Sequence, residues 1–168
     1  QWPTYRLALL MGQLYHKNLV VVDAVAICYC WTLLNVVQPS YGWTRSLCVP
    51  DREHGFLPAA SSHQLRVFGA YSRHIHEGMV RVGTMSTDDD LLACAFQGEG
   101  SGATVVLLNR SVAPKRAKIV WPGVVFSVVE VADPYHQNEV GQVEGGSEVL
   151  VPPGAIVTVT NVALRQFR

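Results

Sequence analysis

The sequence is poor in charge. Only 15% of its residues are Asp, Glu, Lys or Arg, and 13 basic residues face 13 acidic ones, so the formal net charge is zero. A chain without a surplus of either sign projects no long-range field, which removes the steering force that nucleic-acid and anionic-membrane binders rely on. An uninterrupted apolar span is also missing. The longest candidate, Leu19 to Leu34, is broken by Asp23 and is rich in Val, Cys and Ile, so it reads as a buried strand rather than a membrane-spanning helix. The four cysteines, Cys28, Cys30, Cys48 and Cys94, are too few and too scattered to form a disulfide framework. No basic segment followed by an apolar run opens the chain, so no targeting segment is legible. The opening Gln1-Trp2-Pro3 fits a chain cut from a longer one.

What is present is apolar: 49% of 168 residues. That suffices for one ordinary domain, or for a small domain and a piece of another, and falls short of a complete barrel enzyme. Thr4 to Lys17 carries Leu7, Leu10, Met11 and Leu14 at helical spacing behind Pro3, which predicts an amphipathic helix. Leu19 to Trp31 follows, evenly apolar as a parallel strand covered on both faces would be. Gln38 to Ala60, punctuated by Pro39, Gly42, Pro50, Gly55 and Pro58, reads as a long loop. Ser61 to Ile75 is expected to be a second helix, with Ser61 and Gln64 at capping-box spacing, a stripe of Leu65, Phe68, Tyr71 and Ile75, and Gly78 as its stop.

From Met79 the period changes. Short runs at Met79 to Met85, Leu91 to Gln97, Ala103 to Asn109, Ala117 to Trp121, Val125 to Val131, Glu148 to Val151 and Ala155 to Thr160 are separated by turn residues such as Pro122-Gly123 and Pro152-Pro153-Gly154. That rhythm predicts an antiparallel β-sandwich.

The stretch Phe68-Gly69-Ala70-Tyr71-Ser72-Arg73-His74-Ile75-His76-Glu77-Gly78-Met79-Val80-Arg81-Val82-Gly83 resembles the last barrel helix and first sandwich strand of glycoside hydrolase family 30. Ala103-Thr104-Val105-Val106-Leu107-Leu108-Asn109-Arg110-Ser111 is similar to that family's strand ending in Leu-Asn and a small polar residue, as in its glucosylceramidases. The tail, from Glu130 through Asp133-Pro134-Tyr135-His136-Gln137-Asn138 to Val151-Pro152-Pro153-Gly154, is similar to the closing strands of endo-glycanase members such as the endo-β-1,6-galactanases.

The resemblance implies an α/β plus all-β chain: residues 1–77 as the last helix-strand-helix portion of a (β/α)8 barrel, and residues 78–168 as a C-terminal β-sandwich. It also implies hydrolysis of a β-linked glycan or glycolipid with retention, by two glutamates that follow the fourth and seventh barrel strands. A retaining mechanism needs a carboxylic acid and a carboxylate about 5 to 5.5 Å apart across the scissile bond. Both glutamates then fall upstream of Gln1, and the chain alone is expected to be inactive. Its partner is the upstream barrel portion of the parent, through which substrate binds. Glucosylceramide, a β-1,6-linked glucan or galactan, and a xylan all remain open as substrates. Trp31 matches a position where the family sets an aromatic ring beside the sugar, whereas Cys28 stands where the family usually has Trp.

The residues agree with that placement. Before Glu77 the only carboxylates are Asp23, Asp51 and Glu53. Asp23 sits at the entry of the expected strand, the end away from barrel chemistry, and the other two lie in the loop, so no residue here is assigned as catalytic. No metal or cofactor is expected. His74 and His76 are two apart and diverge on a helix, Cys28 and Cys30 lack a second ligand pair, and Asp88-Asp89-Asp90 lacks calcium-loop spacing. Asn109-Arg110-Ser111 is a glycosylation sequon. With the family's usual setting, it favours an extracellular or lysosomal location. The competing reading is a non-catalytic sandwich module that binds carbohydrate or a partner through Trp43, Trp121 or Tyr135.

Overall fold

The computed structural model describes residues 2–28, 49–51, 55–57, 63–133, 137–142 and 148–163. Helix α1 spans Trp2–Val20 and α2 spans His63–Ser72. The described residues also form ten strands: β1 Val49–Asp51, β2 Gly55–Leu57, β3 Val80–Val82, β4 Leu91–Gln97, β5 Ala103–Asn109, β6 Lys115–Lys118, β7 Val128–Ala132, β8 Gln137–Gln142, β9 Glu148–Val151 and β10 Ile156–Thr160. Six of them form one sheet in the order β3-β4-β5-β10-β7-β8, faced by the pair β6-β9, while β1-β2 is a separate hairpin. Every described pairing is antiparallel.

The expected sandwich is therefore present, and its strands fall on the apolar runs because alternate residues serve different covers. On β4, Cys94 and Phe96 point to the helices, while Leu91 and Ala95 point to the β6-β9 pair. On β5 the same split sends Val106 and Leu108 one way and Val105 and Leu107 the other. The two central strands, β5 and β10, are buried at every position. Each large aliphatic side chain so buried contributes roughly 1.5 to 3 kcal/mol relative to exposure.

The helical part departs from expectation. No barrel arc forms among the described residues, whose strand pairings are all antiparallel where barrel strands pair in parallel. The strand expected over 19–31 begins as helix: α1 continues to Val20, where Leu19 and Val20 pack against the helix-side core. A short apolar run does not by itself distinguish buried helix from strand. The helix then ends in a turn in which Asp23 adopts φ 59° and the Ala24 N–H donates to Asn18 O at 2.9 Å. Residues 24–28 form no strand, and 29–31 lie outside the described residues. The expected loop over 38–60 contains the β1-β2 hairpin, and β8 was not anticipated.

The face that α1 buries also differs. Tyr5, Ala8, Gly12 and Tyr15 lie against the sheet and α2, whereas Leu10 and Leu14 of the predicted stripe are 52% and 54% exposed. The helix is thus apolar on two sides, and the sheet covers one. At Gly12 the approach is closest: an added Cβ would lie 2.8 Å from Ile156 Cδ1, 3.1 Å from Leu108 Cδ1 and 3.2 Å from Val67 Cγ1. Gly12→Val should therefore destabilise by about 2 kcal/mol through overpacking, read as a lower urea midpoint. An unchanged midpoint would show that the seam yields freely.

Candidate functional site

The seam between helices and sheet is where the polar chemistry of the fold concentrates. A helix leaves its last carbonyls without intrahelical donors, and threonines of the sheet meet one such carbonyl of α2 and one in the turn that follows it. Thr158 Oγ1 donates to Ala70 O at 2.7 Å and Thr104 Oγ1 donates to His74 O at 2.9 Å, with Thr160 Oγ1 2.9 Å from Thr104 Oγ1. Beside them Glu130, on β7 and fully buried, holds His74 Nε2 at 2.7 Å from Oε2 and the Arg73 guanidinium at 3.4 Å from Oε1. An isolated buried carboxylate costs several kcal/mol, so this one persists by virtue of its partners.

Two phenols complete the seam. Tyr5 donates to Gly154 O at 2.7 Å, with Ala132 O a second acceptor at 3.1 Å, and Tyr71 donates to Gly12 O at 3.1 Å. Burial, then the Asp133 charge, raises the Tyr5 phenol well above its ordinary value, and burial does the same for Tyr71. Both therefore remain protonated donors. Burial also pushes the Cys94 thiol up to about 12, which makes it a packing residue rather than a nucleophile.

Next to the seam opens a groove of about 650 Å³, floored by Tyr15, Phe68, Tyr71, Ile75, Met79 and Phe96. At its mouth Arg81 donates from Nε and Nη2 to Asp23 Oδ1 at 3.2 and 2.8 Å, tying β3 to the turn after α1. Arg73 and Arg81 thus each join the helical part to the strands. The carboxylates that line the groove are Asp23 and Glu77. Asp23 is committed to Arg81, and Glu77 is exposed. Glu130 lies beneath α2, bonded to His74 and Arg73. Among the described residues no acid and nucleophile face each other across a groove.

Trp31 lies outside the described residues, as do Trp43 and Tyr135. Trp121 is half-buried and stacks edge-on against Phe126 at 6.3 Å. Asn109, expected as a glycan attachment point, is fully buried at the end of β5. Its Nδ2 donates to Ala113 O at 2.8 Å and to Val151 O and Pro152 O at 3.1 Å each, while Oδ1 accepts from Ser111 N and Oγ at 2.9 and 2.8 Å. The folded domain uses the nitrogen that a glycan would occupy as a clasp between its two sheets. His74 turns inward to Glu130 and His76 Nε2 lies 3.1 Å from Arg73 O, so the two rings serve different partners. In the acidic turn Lys115 bonds Asp88 at 2.6 Å, which holds that carboxyl below its usual value, and Arg110 donates to the Asp89 backbone carbonyl at 2.6 Å and lies 3.9 Å from Asp90 Oδ1.

Sequence reasoning missed Glu130 and Tyr5. Glu130 is a lone acid among valines, and only the register shows that it shares the inward face with Ala132. A charge inside an otherwise apolar strand was the available signal.

Residues 78–159 match the family model described as the glycosyl hydrolase family 30 beta sandwich domain. Among solved structures, the chain is similar to a family 30 endoxylanase from Clostridium papyrosolvens C71, with a TM-score of 0.69 and 20% identity over 93% of this chain and 38% of that one. It is also similar to a family 30 subfamily 8 xylanase from Clostridium acetobutylicum, with a TM-score of 0.71 and 15% identity over 91% and 38%. A conserved exported protein from Bacteroides fragilis is likewise similar, at 0.68 and 13% over 94% and 34%. At these identities the likeness is one of fold, and it takes in the helices as well as the sandwich. The chain spans little more than a third of the length of these structures. No curated protein matches it in sequence.

Two substitutions test the seam and the clasp. His74→Ala strips the Glu130 carboxylate of its nearest partner and should cost about 3 to 5 kcal/mol of unfolding free energy. Asn109→Ala leaves buried carbonyls short of a donor and should cost about 2 kcal/mol. Denaturant titration measures both, and losses under 1 kcal/mol would show that these bonds are incidental.

Proposed function

Because residues 78–159 belong to the glycosyl hydrolase family 30 β-sandwich domain, we propose that this chain is the C-terminal part of a retaining β-glycoside hydrolase. Its barrel and both catalytic glutamates come from polypeptide that precedes residue 1. The observation that carries the reading is the bare side of α1. Leu10 and Leu14, with Val21, Val22 and Val25 beyond the helix end, are each more than half exposed, although the opposite side of the same helix is packed on the sheet. Large apolar side chains left exposed among the described residues suit a surface that takes a partner, and a helix of a (β/α)8 barrel packs on barrel strands.

In this reading α1 and α2 are outer helices of the barrel's last portion, and the sandwich buttresses them from behind through the Glu130 seam. The chain's contribution to catalysis is mechanical: it fixes the closing side of the barrel, while chemistry proceeds between two carboxylates held elsewhere. The substrate is a β-linked glycan or glycolipid. Two of the structural neighbours are named xylanases, which supports xylan beside glucosylceramide and β-1,6-linked glucan or galactan as candidates. An extracellular or lysosomal location goes with this reading, and the neighbour named as an exported protein supports it.

The test compares this chain with the full-length product of its reading frame on aryl β-glycosides, xylan and β-1,6-glycans, following the anomer released. Turnover with retention by the longer protein alone is expected. Turnover by residues 1–168 alone would overturn the placement of the glutamates, and inactivity of both would favour a carbohydrate-binding module. A second expectation concerns the bare helix face. The isolated chain should self-associate, and Leu10→Lys with Leu14→Lys should return it to monomer in sedimentation without lowering its melting temperature. A wild-type chain already monomeric would contradict the bare face as a lost interface.

A further inference from the structure

Helices α1 and α2 run parallel. Tyr5 meets the His63 ring edge-on at 5.3 Å, and farther along both helices Tyr15 meets Phe68 and Tyr71 at 5.8 Å each. Both helices therefore start at the same end of the seam. In a (β/α)8 barrel each helix returns from the C-terminal end of the strand before it, the end where catalytic groups stand. With α1 and α2 as barrel helices, the Tyr5 and His63 end of the seam lies on the catalytic face. The opposite end, where Thr104 Oγ1 donates to His74 O at 2.9 Å just beyond α2, lies on the face away from the chemistry. Strand β10 spans the distance between them, from Ile156 opposite Ala132 at the first end to Thr160 opposite Thr104 at the second.

The catalytic-face end converges on Tyr5. The side chain is 1% exposed, and its hydroxyl sits between two carbonyls of the sandwich: Gly154 O at 2.7 Å, in the turn before β10, and Ala132 O at 3.1 Å, the last residue of β7. Gly154 presents its carbonyl from a left-handed turn, with φ 64°. Arg66 on α2 and Asp133 just after β7 stand within electrostatic reach of the same phenol. The first turns of both helices and two elements of the sandwich thus meet around one buried hydroxyl. A contact remote from the chemistry acts on rate when it fixes where a catalytic group stands, because a displacement of about 1 Å can cost on the order of 100-fold.

We propose that Tyr5 is a positioning residue of the parent enzyme. Its hydroxyl ties the start of α1 to the sandwich, and with it the loop and strand end that precede the helix on the catalytic face. The inference rests on the reading of this chain as the C-terminal part of a glycosidase. It gives the seam two unequal ends: the bond at Tyr5 sets turnover, whereas the bond at Thr104 holds the fold alone.

The test compares Tyr5→Phe with Thr104→Val in the full-length product. Each removes one buried hydroxyl from the seam and keeps nearly the same side-chain shape, at opposite ends. Active sites are counted by trapping with an activated fluorosugar, so that a loss of folded protein does not enter kcat. On an aryl β-glycoside, Tyr5→Phe should lower kcat per trapped site about ten-fold with KM within about two-fold, the pattern of lost transition-state geometry rather than lost binding. Thr104→Val should lower the melting temperature and leave kcat per trapped site unchanged. An unchanged kcat per site in Tyr5→Phe would overturn the proposal, as would equal losses in the two variants. Should Tyr5→Phe not fold, Gly154→Ala, which strains the left-handed turn that holds the acceptor, carries the same expectation and the same contrary result. A wild-type protein that neither turns over nor takes the fluorosugar would remove the glycosidase and this role together. An active wild type with an indifferent Tyr5→Phe would remove the role alone.

Discussion

Strands β5 and β10 have no side that meets water, and a strand in that position requires a cover on each face. One cover is the β6-β9 pair, as in any sandwich. The other is a pair of helices, and the way they are held is the constraint on which the rest of the chain depends. Apolar packing alone would let α2 slide over a sheet of valines. The Thr158 hydroxyl under the Ala70 carbonyl, the Thr104 hydroxyl under the His74 carbonyl just beyond the helix, and the buried Glu130 that engages His74 and Arg73 fix its position along the sheet. Tyr71 then fixes α1 to α2 through the Gly12 carbonyl, and Tyr5 fixes α1 to the turn before β10. These bonds are short, buried and made to groups distant in sequence, so they specify one arrangement as much as they stabilise it.

The same arrangement leaves an asymmetry. Helix α1 has two apolar sides, and among the described residues the sheet and α2 cover one of them. The chain thus combines a seam of buried polar bonds with exposed apolar side chains on α1. Among the described residues, Glu130, Asp23, Asp90, Asp88 and Glu148 are engaged in ion pairs, and Glu77 and Glu99 are exposed.

Much of this was legible from sequence. The strands at 91–97, 103–109 and 148–151 coincide with the apolar runs that announced them, because turn residues bound each run tightly. The family resemblance over residues 68–83 overlaps the start of the segment that matches the family 30 sandwich model. The helical part was harder, for two physical reasons. Leu7, Leu10, Met11 and Leu14 look like the core face of α1, but the sheet prefers the Tyr5, Ala8, Gly12 and Tyr15 side, where small residues allow close approach and hydroxyls meet carbonyls. The run after Lys17 is apolar enough for either helix or strand, and its first residues follow the helix already begun. Asn109 shows a different limit: a sequon is defined by three residues, whereas access to its nitrogen depends on strands forty residues away. Trp31, the position carried over for sugar stacking, lies outside the described residues.

The central claim is that the carboxylates of the reaction lie outside this chain. A retaining glycosidase passes through a covalent glycosyl-enzyme intermediate, which an activated fluorosugar traps on the nucleophile. Labelling the full-length product in this way and locating the modified peptide by mass spectrometry tests the claim directly. The account predicts the sugar on a glutamate upstream of residue 1. A label on any carboxylate within residues 1–168 would contradict it.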